Sequence, residues 1–169
     1  MDSTELKALQ APLKAQYQES PEKALVTLRA HGRLDEGISC RVDAGQSAVV
    51  AGLHPATGGS GAAACSGNML LDALVACSGV TLNAVATVLG IHLRDAAIEA
   101  EGDLDFRGTL GVSKEVPVGF QSIRLIVTLD TDASDEQLAN LLRLTERYCV
   151  VLQTLKHPPE TTLLRRPQP

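Results

Sequence analysis

The stretch from Asn68 to Leu89 constrains this chain more than any other feature, because it carries a single charged side chain, Asp72, and stops at Gly90. A run of about 20 predominantly apolar residues can cross a membrane. Here Asn68, Asp72, Ser78, Thr81, Asn83 and Thr87 interrupt it, and no aromatic belt flanks it. The expectation is therefore a central helix buried on most sides, with Gly90 as its stop and no membrane partner. A chain of 169 residues fits one domain, and 44% hydrophobic residues suffice for a core. With aromatics at 2% and no Trp, that core must come from Leu, Val, Ile and Ala.

The net charge of -5 and a pI near 5.3 set nucleic acid aside, since its binders carry basic patches and stacking aromatics. Residues Met1 to Glu5 offer neither a basic start nor an apolar segment, so a cytoplasmic location is expected. Structural disulfides are rare there. The four cysteines (Cys40, Cys65, Cys77, Cys149) are then core residues, metal ligands or redox groups. No CxxC pair occurs, and His31, His54, His92 and His157 lack ligand spacing, so neither a structural zinc nor any other cofactor is expected.

Periodicity predicts the remaining elements. Thr4 to Gln18 reads as an N-terminal helix packed outside the main fold, ended by Ser20-Pro21. Ala24–Ala30, Ile38–Val42 and Ala48–Leu53 read as strands of a meander, with turns around Gly32–Gly37 and at Asp43–Gly45. His54 to Gly67 is a loop containing Pro55 and glycines 58, 59, 61 and 67. Ile91–Asp105 is strand-like, and Phe106–Pro117 is a loop. Phe120–Leu129 is a strong strand with Ile123, Leu125, Val127 and Leu129 on one face. Ser134-Asp-Glu-Gln137 is a capping box opening a helix to about Leu152, and Thr161–Arg165 a last short strand. The class is α+β, divided into an N-terminal helical extension (1–20) and a single domain (21–169).

On the first long helix, Leu70, Ala73, Leu74, Cys77, Val80, Thr81 and Ala84 share a stripe, and the small neighbours of Cys77 would let another backbone come close. On the second, Leu138, Leu141, Leu142, Thr145, Cys149 and Leu152 do the same. Each cysteine thus lies on an inward face, which fits a core residue as well as a redox thiol. Cys40, inward on a strand, reads as core. Cys65, at a loop-to-helix junction, reads as structural or incidentally reactive.

The segment Thr57-Gly-Gly-Ser-Gly61, followed by Leu70-Leu-Asp-Ala-Leu-Val-Ala-Cys-Ser-Gly-Val-Thr-Leu82, resembles the OsmC/Ohr family, and Tyr148-Cys-Val-Val-Leu-Gln-Thr-Leu155 resembles that family's second cysteine segment. The resemblance covers about Ala24 to Leu164. It implies an intertwined homodimer with bent antiparallel sheets wrapped around two central helices. It also implies reduction of hydroperoxides, organic ones preferred. Cys77 would be the peroxidatic thiol and Cys149 the resolving thiol, restored by an external dithiol. It further implies an Arg in the first-sheet turn, matched by Arg33 with Arg41 as runner-up, and a Glu about ten residues before the first cysteine. That position falls at Gly67 or Asn68, neither of them acidic, and Asp72 points to a different side. The departure leaves open a member of the same family that binds a small ligand with little turnover.

Overall fold

The computed structural model describes residues 1–44 and 47–165. The expected turn at Asp43–Gly45 runs into residues 45–46, and the expected domain end at Pro169 lies within residues 166–169; both fall outside the described residues. Helix α1 spans Ser3–Glu19, capped by a box in which Asp2 accepts from the Glu5 amide while Glu5 accepts from the Asp2 amide. It rests on the outside and fully buries none of its residues. A single 3-10 turn, Pro21–Ala24, follows.

Strands β1 (His31–Asp35), β2 (Ser39–Ala44) and β3 (Ser47–Gly52) form an antiparallel meander, its first strand lying where the Gly32–Gly37 turn was expected. A two-residue strand β4 (Ala64–Cys65) adds in parallel to β3, with Gly52 opposite Cys65. Cys65 is also the N-cap residue of α2 (Ser66–Leu89), so the sheet fixes where that helix begins. Between them the loop doubles back so closely that a Cβ at Gly59 would lie 1.8 Å from the Leu53 carbonyl oxygen, which only glycine allows. Gly90 ends α2 in the left-handed region at φ 70°.

Strand β5 (Asp95–Asp103) pairs antiparallel with β6 (Ser122–Asp130), with the short helix α3 (Phe106–Thr109) between them. Along β6 the inward row is Ile123, Leu125, Val127 and Leu129, as expected. On the outer face Arg124 bridges Glu101 and Asp103 across the pair. Helix α4 (Asp135–Tyr148) opens with both halves of the expected box: Ser134 Oγ accepts from the Gln137 amide, and Gln137 Oε1 accepts from the Ser134 amide. Helix α5 (Val150–Lys156) completes the described elements.

The core lies where α2 and α4 meet the β5–β6 pair: Leu82, Ala86, Ile91 and Leu141 are buried together, flanked by Ile98, Val127 and Leu129. It is wholly aliphatic, as the composition required. Leu141 is fully enclosed, and truncating an enclosed leucine removes its contacts and leaves a cavity. Leu141→Ala should therefore cost about 2–5 kcal/mol. In urea unfolding the midpoint should fall with an unchanged slope; a midpoint shift below about 0.5 kcal/mol equivalent would show that the α2–α4 seam does not carry the fold.

Three expectations need correction. Ala24–Ala30 is not a strand; after the 3-10 turn it runs unpaired, with Leu25 and Leu28 almost fully exposed (87% and 88%). Its strand-forming side chains find no neighbouring strand among the described residues, and the first strand starts at His31. Thr161–Arg165 is likewise unpaired. The helix expected to run to Leu152 breaks at Cys149, whose ψ of 107° is extended rather than helical. The fold remains α+β, with two small sheets and packed helices.

Candidate active site

The fully buried stripe of α2 is Leu74, Ser78, Leu82 and Ala86, one position round from the stripe read in the sequence. Cys77 therefore sits at the edge of the packed face and is half-buried, while Val80 is 74% exposed. The stripe could shift onto Ser78 because its hydroxyl has a partner: Ser78 Oγ lies 3.3 Å from Cys149 Sγ. A buried hydroxyl without a partner would be costly.

Cys149 is fully buried at the break between α4 and α5. Its backbone serves both helices, with its N–H donating to the Thr145 carbonyl at 2.9 Å and its carbonyl accepting from the Gln153 N–H at 2.9 Å. Gln153 Nε2 also donates to the Glu146 carbonyl at 2.8 Å, and Lys156 pairs with Glu146, so the kink is tied from both sides. The break has a chemical consequence. It turns the first amides of α5 toward Cys77, the close approach of a second backbone that the small residues around Cys77 anticipated.

The Cys77 thiol is held below its ordinary pKa. Partial burial alone would raise it, but the Val151 amide, the Cys149 thiol, the Val150 amide and the Thr81 hydroxyl all reach its sulfur and outweigh that effect. Hydrogen-bond donors, not a neighbouring cation, favour the thiolate within one chain. The Cys149 thiol is among the groups that lower the Cys77 pKa, and both cysteines are free thiols. Their settings differ: Cys77 is reachable from solvent and Cys149 is not. A low-pKa reachable thiol beside a shielded one can take up an oxidant and then close onto its neighbour.

This setting has a pH signature. Only the thiolate is alkylated, so the rate at Cys77 should rise with pH and level off above the thiol's pKa. In native protein that midpoint should lie below the midpoint for Cys77 in the same chain unfolded in denaturant. Peptide mass spectrometry of iodoacetamide adducts across pH measures both. A native midpoint at or above the unfolded one would mean that the α5 amides do not stabilise the thiolate.

Arg33 is not brought to this pair. It lies on β1, exposed, opposite Arg41 in the β1–β2 register, and forms no ion pair among the described residues. Arg41 is engaged, its Nε and Nη2 donating to Asp35 Oδ2 at 3.1 and 2.8 Å. Gly67 and Asn68, in the first turn of α2, supply no carboxylate, and Asp72 is exposed. Cys40 is half-buried on β2, its Sγ directed at the Arg41 carbonyl at 3.9 Å. Cys65 is half-buried in a cavity of about 440 Å³ near His54, which stacks on Phe106 at 4.8 Å. Among the described residues no three His, Cys, Asp or Glu side chains converge as metal ligands. Sequence reasoning missed Ser78 and the amides of Val150 and Val151. Ser78 read only as an interruption of an apolar run, and amides carry no side-chain signature.

A sequence profile of the OsmC-like protein family matches residues 58–164, which include both cysteines. A comparison with curated proteins gave no significant match. Among solved structures the fold is similar to an OsmC-like protein from Mycoplasma pneumoniae (16% identity, 79% of this chain and 89% of that one, TM-score 0.66). It is also similar to an organic hydroperoxide resistance protein from Legionella pneumophila (19%, 79% and 91%, 0.61) and to the organic hydroperoxide resistance protein OhrB of Bacillus subtilis (19%, 79% and 93%, 0.52).

Proposed function

Because this chain belongs to the OsmC-like protein family, we propose that it is a thiol-dependent hydroperoxide reductase acting on organic hydroperoxides through Cys77 and Cys149. The observation that carries this reading is the setting of Cys77: half-buried, with its thiol pKa lowered by the α5 amides and by the thiol of the fully buried Cys149. Two similar structures are those of organic hydroperoxide resistance proteins, which agrees with a role in redox stress.

The Cys77 thiolate attacks the terminal oxygen of the hydroperoxide. The O–O bond breaks, the alkoxide leaves and takes a proton as the alcohol, and Cys77 becomes a sulfenic acid. The Cys149 thiol attacks that sulfur; water leaves and the disulfide forms. An external dithiol then reduces the disulfide by exchange and is itself oxidised. Such a cycle suits a reducing compartment such as the cytoplasm. The Ser78 hydroxyl holds Cys149 on the side facing Cys77.

We further propose a homodimer. Leu25, Leu28, Leu34 and Ile38 expose apolar side chains along one segment, Leu34 at 91% and Ile38 at 77%. A second copy is the natural cover for them, and gives the unpaired 25–30 segment a strand to join. Arg33 lies in that segment, away from the Cys77 of its own chain, so it serves the thiolate of the second copy. Light scattering at micromolar concentration should give a dimer, with an obligate-type interface above roughly 2,000 Å² in total. A monomer there would remove both the dimer and this role for Arg33.

The function is tested by steady-state turnover with dithiothreitol as the dithiol, comparing cumene hydroperoxide with hydrogen peroxide. The reading expects consumption of both, with the higher kcat/KM for cumene hydroperoxide. Ligand binding without consumption of either peroxide would replace this reading with the small-ligand one, which the missing carboxylate at Gly67 and Asn68 favours.

A further inference from the structure

In the fully buried stripe of α2, Leu74, Ser78, Leu82 and Ala86, a hydroxyl occupies a position that packing alone would give to a small apolar residue, as it does at Ala86. Three threonines on these helices turn their hydroxyls back on their own backbone. Thr81, Thr87 and Thr145 donate to the carbonyls of Cys77, Asn83 and Leu141, four residues earlier, each at 2.8 Å. Ser78 makes no such bond among the described residues. Its Oγ lies instead 3.3 Å from Cys149 Sγ, on another helix boundary, with both residues fully enclosed. Ser78 also directly follows Cys77, so their side chains stand about 100° apart round the helix and about 1.5 Å apart along its axis. A sulfur tied to Ser78 is therefore tied beside the Cys77 position.

The closing of a disulfide makes a demand at this sulfur. The sulfenic acid of Cys77 and the thiol of Cys149 combine to a disulfide and water: the S–O bond breaks, the S–S bond forms, and the Cys149 proton leaves with the hydroxide. As Cys149 attacks, its sulfur gives up that proton in an enclosed site, where bare charge is costly. The Ser78 O–H is already in place to donate to the sulfur as charge develops, and it keeps its own proton throughout.

We propose that Ser78 is a positioning residue of the resolving step, whose hydroxyl steadies the Cys149 sulfur beside Cys77 and donates to it during attack, and that Ser78 thereby sets how much peroxide the protein withstands before Cys77 is over-oxidised. The peroxide arm of the test rests on the peroxidase reading; the exchange arm does not. In the exchange arm, reduced protein carrying Cys40→Ala and Cys65→Ala is the parent, and it is mixed with one equivalent of a chromogenic aryl disulfide. Cys77 attacks the reagent and releases one aryl thiolate, and Cys149 then attacks the Cys77 sulfur and releases the second as the internal disulfide forms. Ser78→Ala should slow the second release about tenfold, the scale of one hydrogen bond to a charged atom, and leave the first unchanged. Its urea midpoint should hardly move, because the thiol left behind is a weak hydrogen-bonding group. Thr145→Val, which removes another buried hydroxyl of the same seam, should leave the second release unchanged. In infrared spectra of the reduced protein, the S–H band that Cys149→Ser removes should shift in Ser78→Ala and stay in place in Thr145→Val. In the peroxide arm, the half-inactivating peroxide concentration of Ser78→Ala should fall by the same factor as its second release, with sulfinic acid at Cys77 by mass spectrometry. A second release as fast in Ser78→Ala as in the parent, or slowed equally by Thr145→Val, overturns the proposal. A second release that depends on Ser78 in a protein that consumes no peroxide overturns the peroxidase reading alone. No second release in the parent overturns both.

Discussion

Cys77→Ser should abolish peroxide consumption, a loss of more than about a thousandfold, the scale on which nucleophile replacements act. The substitution changes one atom, at a half-buried position, so the fold should persist. The amides of Val151 and Val150 would then face a hydroxyl, whose pKa lies far too high for them to yield an anion at neutral pH. No other thiol can stand in. Cys149 is fully enclosed, and Cys40 and Cys65 sit on other elements without the donors that gather at Cys77. A Cys77→Ser protein that consumed peroxide as fast as the parent would end the mechanism, and its circular dichroism spectrum would show whether the protein remained folded.

Cys149→Ser should separate the two half-reactions. One equivalent of peroxide should still be consumed, because the attacking thiol and the α5 amides remain. The sulfenic acid should then persist and be trapped by dimedone, since no thiol lies at the Cys77 sulfur to condense with it. Sustained turnover should fall by at least about tenfold, the modest end of the losses seen when a positioned catalytic group is removed, and excess peroxide should drive Cys77 to the sulfinic acid. Serine fits this position, because the neighbour of the Cys149 sulfur is the Ser78 hydroxyl, with which another hydroxyl can hydrogen-bond. Rapid disulfide formation in the Cys149→Ser protein through Cys40 or Cys65 would show that the resolving thiol is elsewhere.

The elements legible in the sequence were those whose information is local. The run with a single charge and Gly90 announced α2 to within two residues, the capping box placed the start of α4, and strict alternation gave β6. The strand expected at Ala24–Ala30 failed because strand propensity is realised only beside a partner strand, and none lies there among the described residues. The kink at Cys149 was hidden because Leu138, Leu141, Leu142 and Thr145 keep helical spacing up to it. The extended ψ of Cys149 and the bond from Gln153 to the Glu146 carbonyl belong to the tertiary structure. Both cysteines of the candidate site were visible as residues on inward faces. The groups that tune Cys77 were not, being two main-chain amides and a serine that looked like an interruption.

Arg33 shows a different limit. The sequence proposed it from resemblance, and a single chain leaves it exposed on β1 with no ion pair among the described residues, while Arg41 is tied to Asp35. A role for it at a thiolate would need a second copy, and the pairing of two chains leaves no local pattern in the sequence of one.

The most direct test is a stoichiometric one. Fully reduced protein is mixed with one equivalent of cumene hydroperoxide, and peroxide loss, free thiols and disulfide-linked peptides are measured on the same sample. The account expects one peroxide consumed and two thiols lost per chain, with the peptides containing Cys77 and Cys149 joined to each other. Peroxide left unconsumed, or thiol loss confined to Cys40 and Cys65, would contradict it.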